Sequence, residues 1–125
     1  MDATVLVVDD DECMRQLLLI HLSNAGYAVV LAEDPIVAAR TLQRQRPDLV
    51  VADIQMPFMD GLEFLQALKS DPATARIPVV FVTCHIEAEL RAKQLGAADF
   101  LPKPVRGDHL LAAVAKHVEA RPAYS

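Results

Sequence analysis

Residues 48–70 read DLVVADIQMPFMDGLEFLQALKS, and this stretch holds one complete strand–turn–helix unit. Leu49–Ala52 (LVVA) is a continuous apolar run with no polar alternation, the pattern of a strand buried on both faces. It ends on a carboxylate, Asp53. Met56-Pro57-Phe58-Met59-Asp60-Gly61 carries turn chemistry. Asp60, just before Gly61, suits a helix cap. Leu62, Phe64–Leu65 and Leu68 then recur at helical spacing.

The same unit repeats on either side. Apolar runs at Thr4–Val8 (TVLVV), Tyr27–Leu31 (YAVVL), Val79–Thr83 (VVFVT) and Asp99–Leu101 (DFL) predict four more strands. The last run is short, and its reading as a strand depends on the repeat around it. Between the runs lie helical stripes. Met14, Leu17, Leu18 and His21–Leu22 form one. Ile36, Val37, Ala39 and Leu42 form another, opened by Asp34-Pro35 as cap and first helical residue and closed by Arg46-Pro47. Ile86, Leu90 and Leu95 form a third, ended by Gly96. His109–Leu111, Val114 and Val118 form the last. Five strand–helix units in succession predict an α/β fold with one parallel sheet and helices on both faces. Right-handed crossovers and five units suit a doubly wound (βα)5 sheet in the order 2-1-3-4-5.

Bulk properties agree with one domain. The chain has 125 residues, 53% of them hydrophobic, enough for a full core at this length. Residues 1–120 are read as that domain and Arg121–Ser125 as a frayed tail. A formal net charge of −5 argues against a nucleic-acid surface, which needs clustered Lys and Arg. Cys13 and Cys84 form no C-x-x-C and read as free thiols in a reducing cytoplasm. There is no signal-peptide pattern and no apolar stretch near the roughly 18 residues of a membrane span. A cytoplasmic protein without membrane contact is the expectation.

In an open parallel sheet, ligands bind beyond the C-terminal strand ends. There the chain places Asp9-Asp10-Asp11, Asp53, Thr83 and, after the fifth strand, Lys103. Acid, acid, hydroxyl and amine thus share one edge. Two carboxylates about 4 Å apart repel by roughly 4 kcal/mol at an effective dielectric near 20, so a proton or a cation must relieve them. All-oxygen ligands select a hard cation such as Mg²⁺. A carboxylate can act as nucleophile toward phosphorus, with the cation and an ammonium neutralising the phosphoryl oxygens. A single Asp after a strand is more often a helix cap, and Asp11 is read that way. Four such residues at four strand ends are harder to dismiss.

These residues resemble the receiver domains of two-component response regulators. Val5–Asp10 (VLVVDD), Asp48–Gly61, Asp71–Thr83 (DPATARIPVVFVT) and Gly96–Pro104 (GAADFLPKP) carry the resemblance, which spans about residues 3–120. The D-x-x-M-P-x-M-D-G stretch from Asp53 is its most specific part. The resemblance implies a flavodoxin-like fold and a phosphoacceptor switch rather than an ordinary enzyme. Asp53 is implied as the phosphoacceptor. Asp10 is implied as a direct ligand of Mg²⁺ (or Mn²⁺), and Asp9 as one acting mainly through water. Gln55 is implied to offer its backbone carbonyl to the metal. Thr83 and Lys103 are implied to contact the phosphoryl group, with a cis Lys103–Pro104 bond. Thr83 and Phe100 are implied as the switch pair. The implied donor is a phosphohistidine on a sensor histidine kinase or a histidine phosphotransfer protein. A downstream protein or output domain is implied to read helix 4 (roughly Ile86–Leu95), strand 5 (Asp99–Leu101) and helix 5 (roughly Arg106–Glu119), and phosphorylation is implied to promote dimers in some cases.

Departures from the family pattern are local. Gln55 stands where Asn is common, and Cys84 where Ala or Ser is common. His85 lies two beyond Thr83; with Gln55 it is expected to tune how long the phosphoryl group lasts. Phe100 lacks the hydroxyl of a Tyr and has no outward hydrogen bond to gain. Val105 stands where Phe is common. Two other readings compete. An aspartate-nucleophile phosphatase needs a D-x-D after the first strand, whereas here the acceptor lies on the third and position 55 is Gln. A pseudo-receiver that docks a partner without phosphate has no use for an intact set of Asp9, Asp10, Asp53, Thr83 and Lys103.

Overall fold

A computed structural model describes residues 2–120. The tail expected at Arg121–Ser125 lies outside the described residues. Five strands and five α-helices alternate: β1 (Thr4–Val8), α1 (Glu12–Asn24), β2 (Ala28–Ala32), α2 (Pro35–Arg44), β3 (Leu49–Ala52), α3 (Gly61–Ser70), β4 (Val79–Thr83), α4 (Glu89–Gln94), β5 (Asp99–Pro102) and α5 (Gly107–Ala120). A 3₁₀ turn, Ile86–Ala88, precedes α4. Every strand pairing is parallel, and the order is β2-β1-β3-β4-β5, as the repeat predicts.

Alternation along β1 explains why the apolar runs are continuous. Val5 and Val7 point to one face, where they pack with Leu18 and Leu22 of α1 and Leu110 and Val114 of α5. Leu6 and Val8 point to the other, among Ala38 of α2, Phe64, Leu65 and Leu68 of α3, and Ala92 of α4. Both faces are covered, so no polar position is needed. Each fully buried Val or Leu contributes on the order of 2 kcal/mol of transfer free energy, and these two layers hold the sheet.

Helix starts follow the expected chemistry. Asp11 caps α1 by accepting from the N–H groups of Cys13 and Met14. Asp34 caps α2 from Ile36 and Val37, with Pro35 at the first position. Asp60 and Glu63 form a reciprocal capping box at α3.

Three elements differ from the sequence reading. The second strand starts one residue later than Tyr27, and the fifth runs one residue further, to Pro102. The larger difference is α4. Helical spacing groups Ile86 and Leu90 with Leu95 as one apolar stripe, yet Ile86 and Leu90 are 63% and 71% exposed. The core contact comes from Ala88, Ala92 and Leu95, spaced i, i+4, i+7. Ile86 and Leu90 lie on the opposite side, so the stripe had merged two faces. Likewise Leu17 and Ile36 are partly in solvent, with Leu18 and Ala38 inside.

Candidate functional site

The sheet register builds the site. Val8 of β1 pairs with Ala52 of β3, so the next residues, Asp9 and Asp53, leave the sheet side by side. The ladder carries on into them: Asp53 N–H donates to the Val8 carbonyl, and Asp9 N–H to the Ala32 carbonyl, both at 3.2 Å. On the other side of β4, Lys103 N–H donates to the Thr83 carbonyl at 2.9 Å. The Lys103–Pro104 bond is cis, as the resemblance implied.

Lys103 joins the two acids. Its Nζ donates to Asp53 Oδ2 at 2.8 Å and to Asp9 Oδ2 at 3.0 Å. The remaining carboxylate oxygens have backbone donors. Asp53 Oδ1 accepts from Ile54 N–H at 2.6 Å, and Asp9 Oδ1 from Asp11 N–H at 2.9 Å. Asp9, Asp53 and Thr83 are buried. Burial raises the Asp9 carboxyl above its ordinary value; the Asp11 N–H and Lys103 oppose this, and the Asp53 charge adds to it. Burial alone would lower Lys103, but its bonds and charge attraction to Asp53 and Asp9 outweigh that and raise it. One partly buried ammonium thus serves two carboxylates.

Not every expected partner converges. Asp10 is exposed, and no hydrogen bond involves its side chain among the described residues. Among the described residues, no three His, Cys, Asp or Glu side chains stand close enough to hold a metal in common. The donors nevertheless suit a hard divalent cation. They are all oxygens, the two buried acids carry one charge more than Lys103 neutralises, and the adjacent Asp10 carboxylate is uncommitted. Thr83 is fully buried at the end of β4, where its Oγ1 accepts from His85 N–H at 3.1 Å. Phe100 is also inside, tilted against Phe81 with ring centroids 6.3 Å apart.

Sequence reasoning missed two supports. Arg15 Nη1 reaches back from α1 to the Asp9 carbonyl at 2.7 Å. Its position one turn into the helix after the acid triplet was the available signal. Gly61 packs against the acceptor strand, and its N–H donates to the Ile54 carbonyl at 2.6 Å. A Cβ there would collide with the Asp53 carbonyl and lie 2.8 Å from Ile54 Cα, so only glycine lets α3 approach this closely. At the rim, His85 Nε2 lies 2.7 Å from Gln55 Oε1 and its Nδ1 lies 3.2 Å from Glu87 Oε1. Cys13 and Cys84 are exposed free thiols.

Comparison with known proteins gives a consistent result. The profile of the response regulator receiver domain family matches residues 5–115. "Response regulator MprA" of Mycobacterium sp. (strain KMS) is 39% identical over 112 residues, covering 90% of this chain and 49% of the relative. The protein of that name from Mycobacterium leprae is 38% identical over 110 residues, 88% of this chain and 48% of its own. The chain therefore spans about half the length of the curated relatives it matches. Among solved structures, a putative response regulator from Chloroflexus aurantiacus superposes with a TM-score of 0.91 at 28% identity, covering 95% of this chain and 99% of the other. Chemotaxis response regulator CheY4 of Vibrio cholerae gives 0.87 at 32% identity, with 94% and 99% covered. With its sheet order, its paired acids and these likenesses together, the chain belongs to the receiver domain family of two-component response regulators.

Proposed function

We propose that Asp53 accepts a phosphoryl group and that residues 1–120 work as the receiver unit around it. The observation that carries this reading is the double bond of Lys103 Nζ to Asp53 and Asp9. Receiver domains are phosphoacceptor switches rather than ordinary enzymes, and they generally bind Mg²⁺ at the acidic site. Here Asp9, Asp10, Asp53 and the Gln55 backbone carbonyl are the residues that would hold Mg²⁺ or Mn²⁺. When bound, the cation offsets the charge that builds on the phosphoryl oxygens.

The chain's own residues do the rest. Asp53 Oδ2 attacks phosphorus while the bond to the donor's imidazole nitrogen breaks, giving an aspartyl phosphate. Ile54 N–H keeps the other oxygen of Asp53 turned away. Lys103, already beside Asp53, moves its ammonium from carboxylate to phosphoryl oxygen over a short path. Thr83, whose Oγ1 accepts from His85 N–H, still has its own O–H to donate and turns it toward the phosphoryl group. Phe100, buried beside Phe81, is then positioned to pass that shift to the surface formed by α4, β5 and α5. The domain in this way assists its own loading and its slow dephosphorylation.

The partners proposed are a sensor histidine kinase or a histidine phosphotransfer protein as donor. A downstream protein or output domain reads α4 with the 3₁₀ turn before it, β5 and α5, where Glu87, Glu89, Arg91, Lys93 and Lys116 are exposed. Phosphorylation-dependent dimerisation through this face belongs to the same proposal. A cytoplasmic location suits the two free thiols, and no helix among the described residues is long and apolar enough to cross a membrane.

Mass spectrometry after treatment with acetyl phosphate and Mg²⁺ tests the assignment. One phosphoryl group is expected on Asp53, and none on Asp53→Asn. Label on another residue, or none on the unaltered protein, would overturn it.

A further inference from the structure

Two loops border the acceptor. The loop after β3 carries Gln55, and the loop after β4 carries His85. A hydrogen bond joins them, between His85 Nε2 and Gln55 Oε1 at 2.7 Å. The other ring nitrogen, Nδ1, meets Glu87 Oε1 at 3.2 Å. The main chain of the same histidine donates to Thr83 Oγ1 at 3.1 Å. His85 is therefore a node. Its backbone holds the hydroxyl at the end of β4, and its ring reaches the loop that follows Asp53.

The three partners divide the work by their chemistry. A carboxylate only accepts, so Nδ1 carries a proton and donates to Glu87. Nε2 meets a side-chain amide, which holds both an oxygen and an NH₂ and can present either by turning over. The Gln55 contact thus survives in either state of the ring. What it requires is that the ring be held at the right angle, and Glu87 does that.

We propose that Glu87 is a positioning residue for the aspartyl-phosphate chemistry: it holds the His85 ring against Gln55 as a bar on the β3–β4 side of the acceptor, slowing the arrival of water at phosphorylated Asp53. The inference rests on the acceptor reading above. In the hydrolysis it slows, water oxygen bonds to phosphorus and the bond to the Asp53 oxygen breaks. The carboxylate is regenerated, and dihydrogen phosphate leaves with the water's protons. The Glu87 side chain is 73% exposed and bonds to none of Asp9, Asp53, Thr83 or Lys103, so its influence passes through His85. Loss of one hydrogen bond of ordinary net strength changes the occupancy of the barred state roughly two- to tenfold.

The test follows the decay of aspartyl phosphate after loading with acetyl phosphate and Mg²⁺ and removal of the donor. Glu87→Ala is expected to shorten the lifetime roughly two- to tenfold. Glu87→Gln keeps an oxygen that accepts from Nδ1, and is expected to restore most of the lifetime. In a His85→Ala background, Glu87→Ala is expected to have no further effect. Nitrogen NMR of the unphosphorylated protein is expected to show the His85 Nδ1 resonance shifted in Glu87→Ala and largely kept in Glu87→Gln. Normal loading with equal lifetimes, or a full Glu87→Ala effect without His85, overturns the role of Glu87 alone. Absence of loading on the unaltered protein overturns the acceptor reading, and this inference with it.

Discussion

At the residue scale, the site is an electrostatic problem with an incomplete local solution. Lys103 faces two buried carboxylates, and its own side chain is only 12% exposed. Removing its charge leaves Asp9 and Asp53 unpaired in a poorly solvated place. Lys103→Met, which keeps the stem, is expected to lose on the order of 3 kcal/mol in urea unfolding. A loss below 1 kcal/mol would mean that water reaches the acids freely. Asp53 and Lys103 were legible in the sequence because each follows an apolar run. Their partners were not. Which of two consecutive acids turns toward Lys103 depends on the pleat of β1 and its register with β3. Here that acid is Asp9, while Asp10 stays in solvent.

At the element scale, caps and ties decide stability. The capping box at α3 satisfies two backbone groups through Asp60 and Glu63. Asp60→Ala is expected to cost about 1 kcal/mol, read as a lower thermal midpoint with phosphoryl uptake retained. The C-terminal half of α5 is tied to the start of β5 by His117 Nε2 and Asp99 Oδ2, 3.0 Å apart. Burial would raise the Asp99 carboxyl, but the Phe100 N–H and His117 outweigh it and hold it below the ordinary value, with Lys93 adding to the effect. A depressed folded value means the carboxylate stabilises the fold above its unfolded value, near pH 4, and that this is lost as pH falls through the folded value. Asp99→Asn is therefore expected to flatten the acid limb of the stability–pH curve; an unchanged limb would remove Asp99 from the account. The caps were legible because Asp-Pro and Asp-Gly pairs are local signals. The solvent-facing side of α4 was not: the core contact is made by the small Ala88 and Ala92 with Leu95, and the larger exposed Ile86 and Leu90 mask that spacing.

At the scale of the whole molecule, folding brings residues 9, 53 and 103 to one point, and ligand binding is linked to global stability. Mg²⁺ that binds only the folded site is expected to raise stability by about 2.7 kcal/mol at a hundredfold excess over its dissociation constant. Asp9→Asn combined with Asp10→Asn is expected to abolish the shift; an equal shift in that variant would place the cation elsewhere. The sequence by itself determined the alternation of strand and helix, the continuous burial of the strands and the arrival of acid, hydroxyl and amine at strand ends. These are local matters of side-chain volume, polarity and turn chemistry, and they act within one βα unit. Only the tertiary structure decided that Lys103 bonds both acids, that Arg15 and Gly61 brace them, and that Glu87 reaches Asp53's loop through His85. The Lys103 contacts join residues up to 94 positions apart, and their geometry follows from the register of the paired strands, which no local pattern encodes.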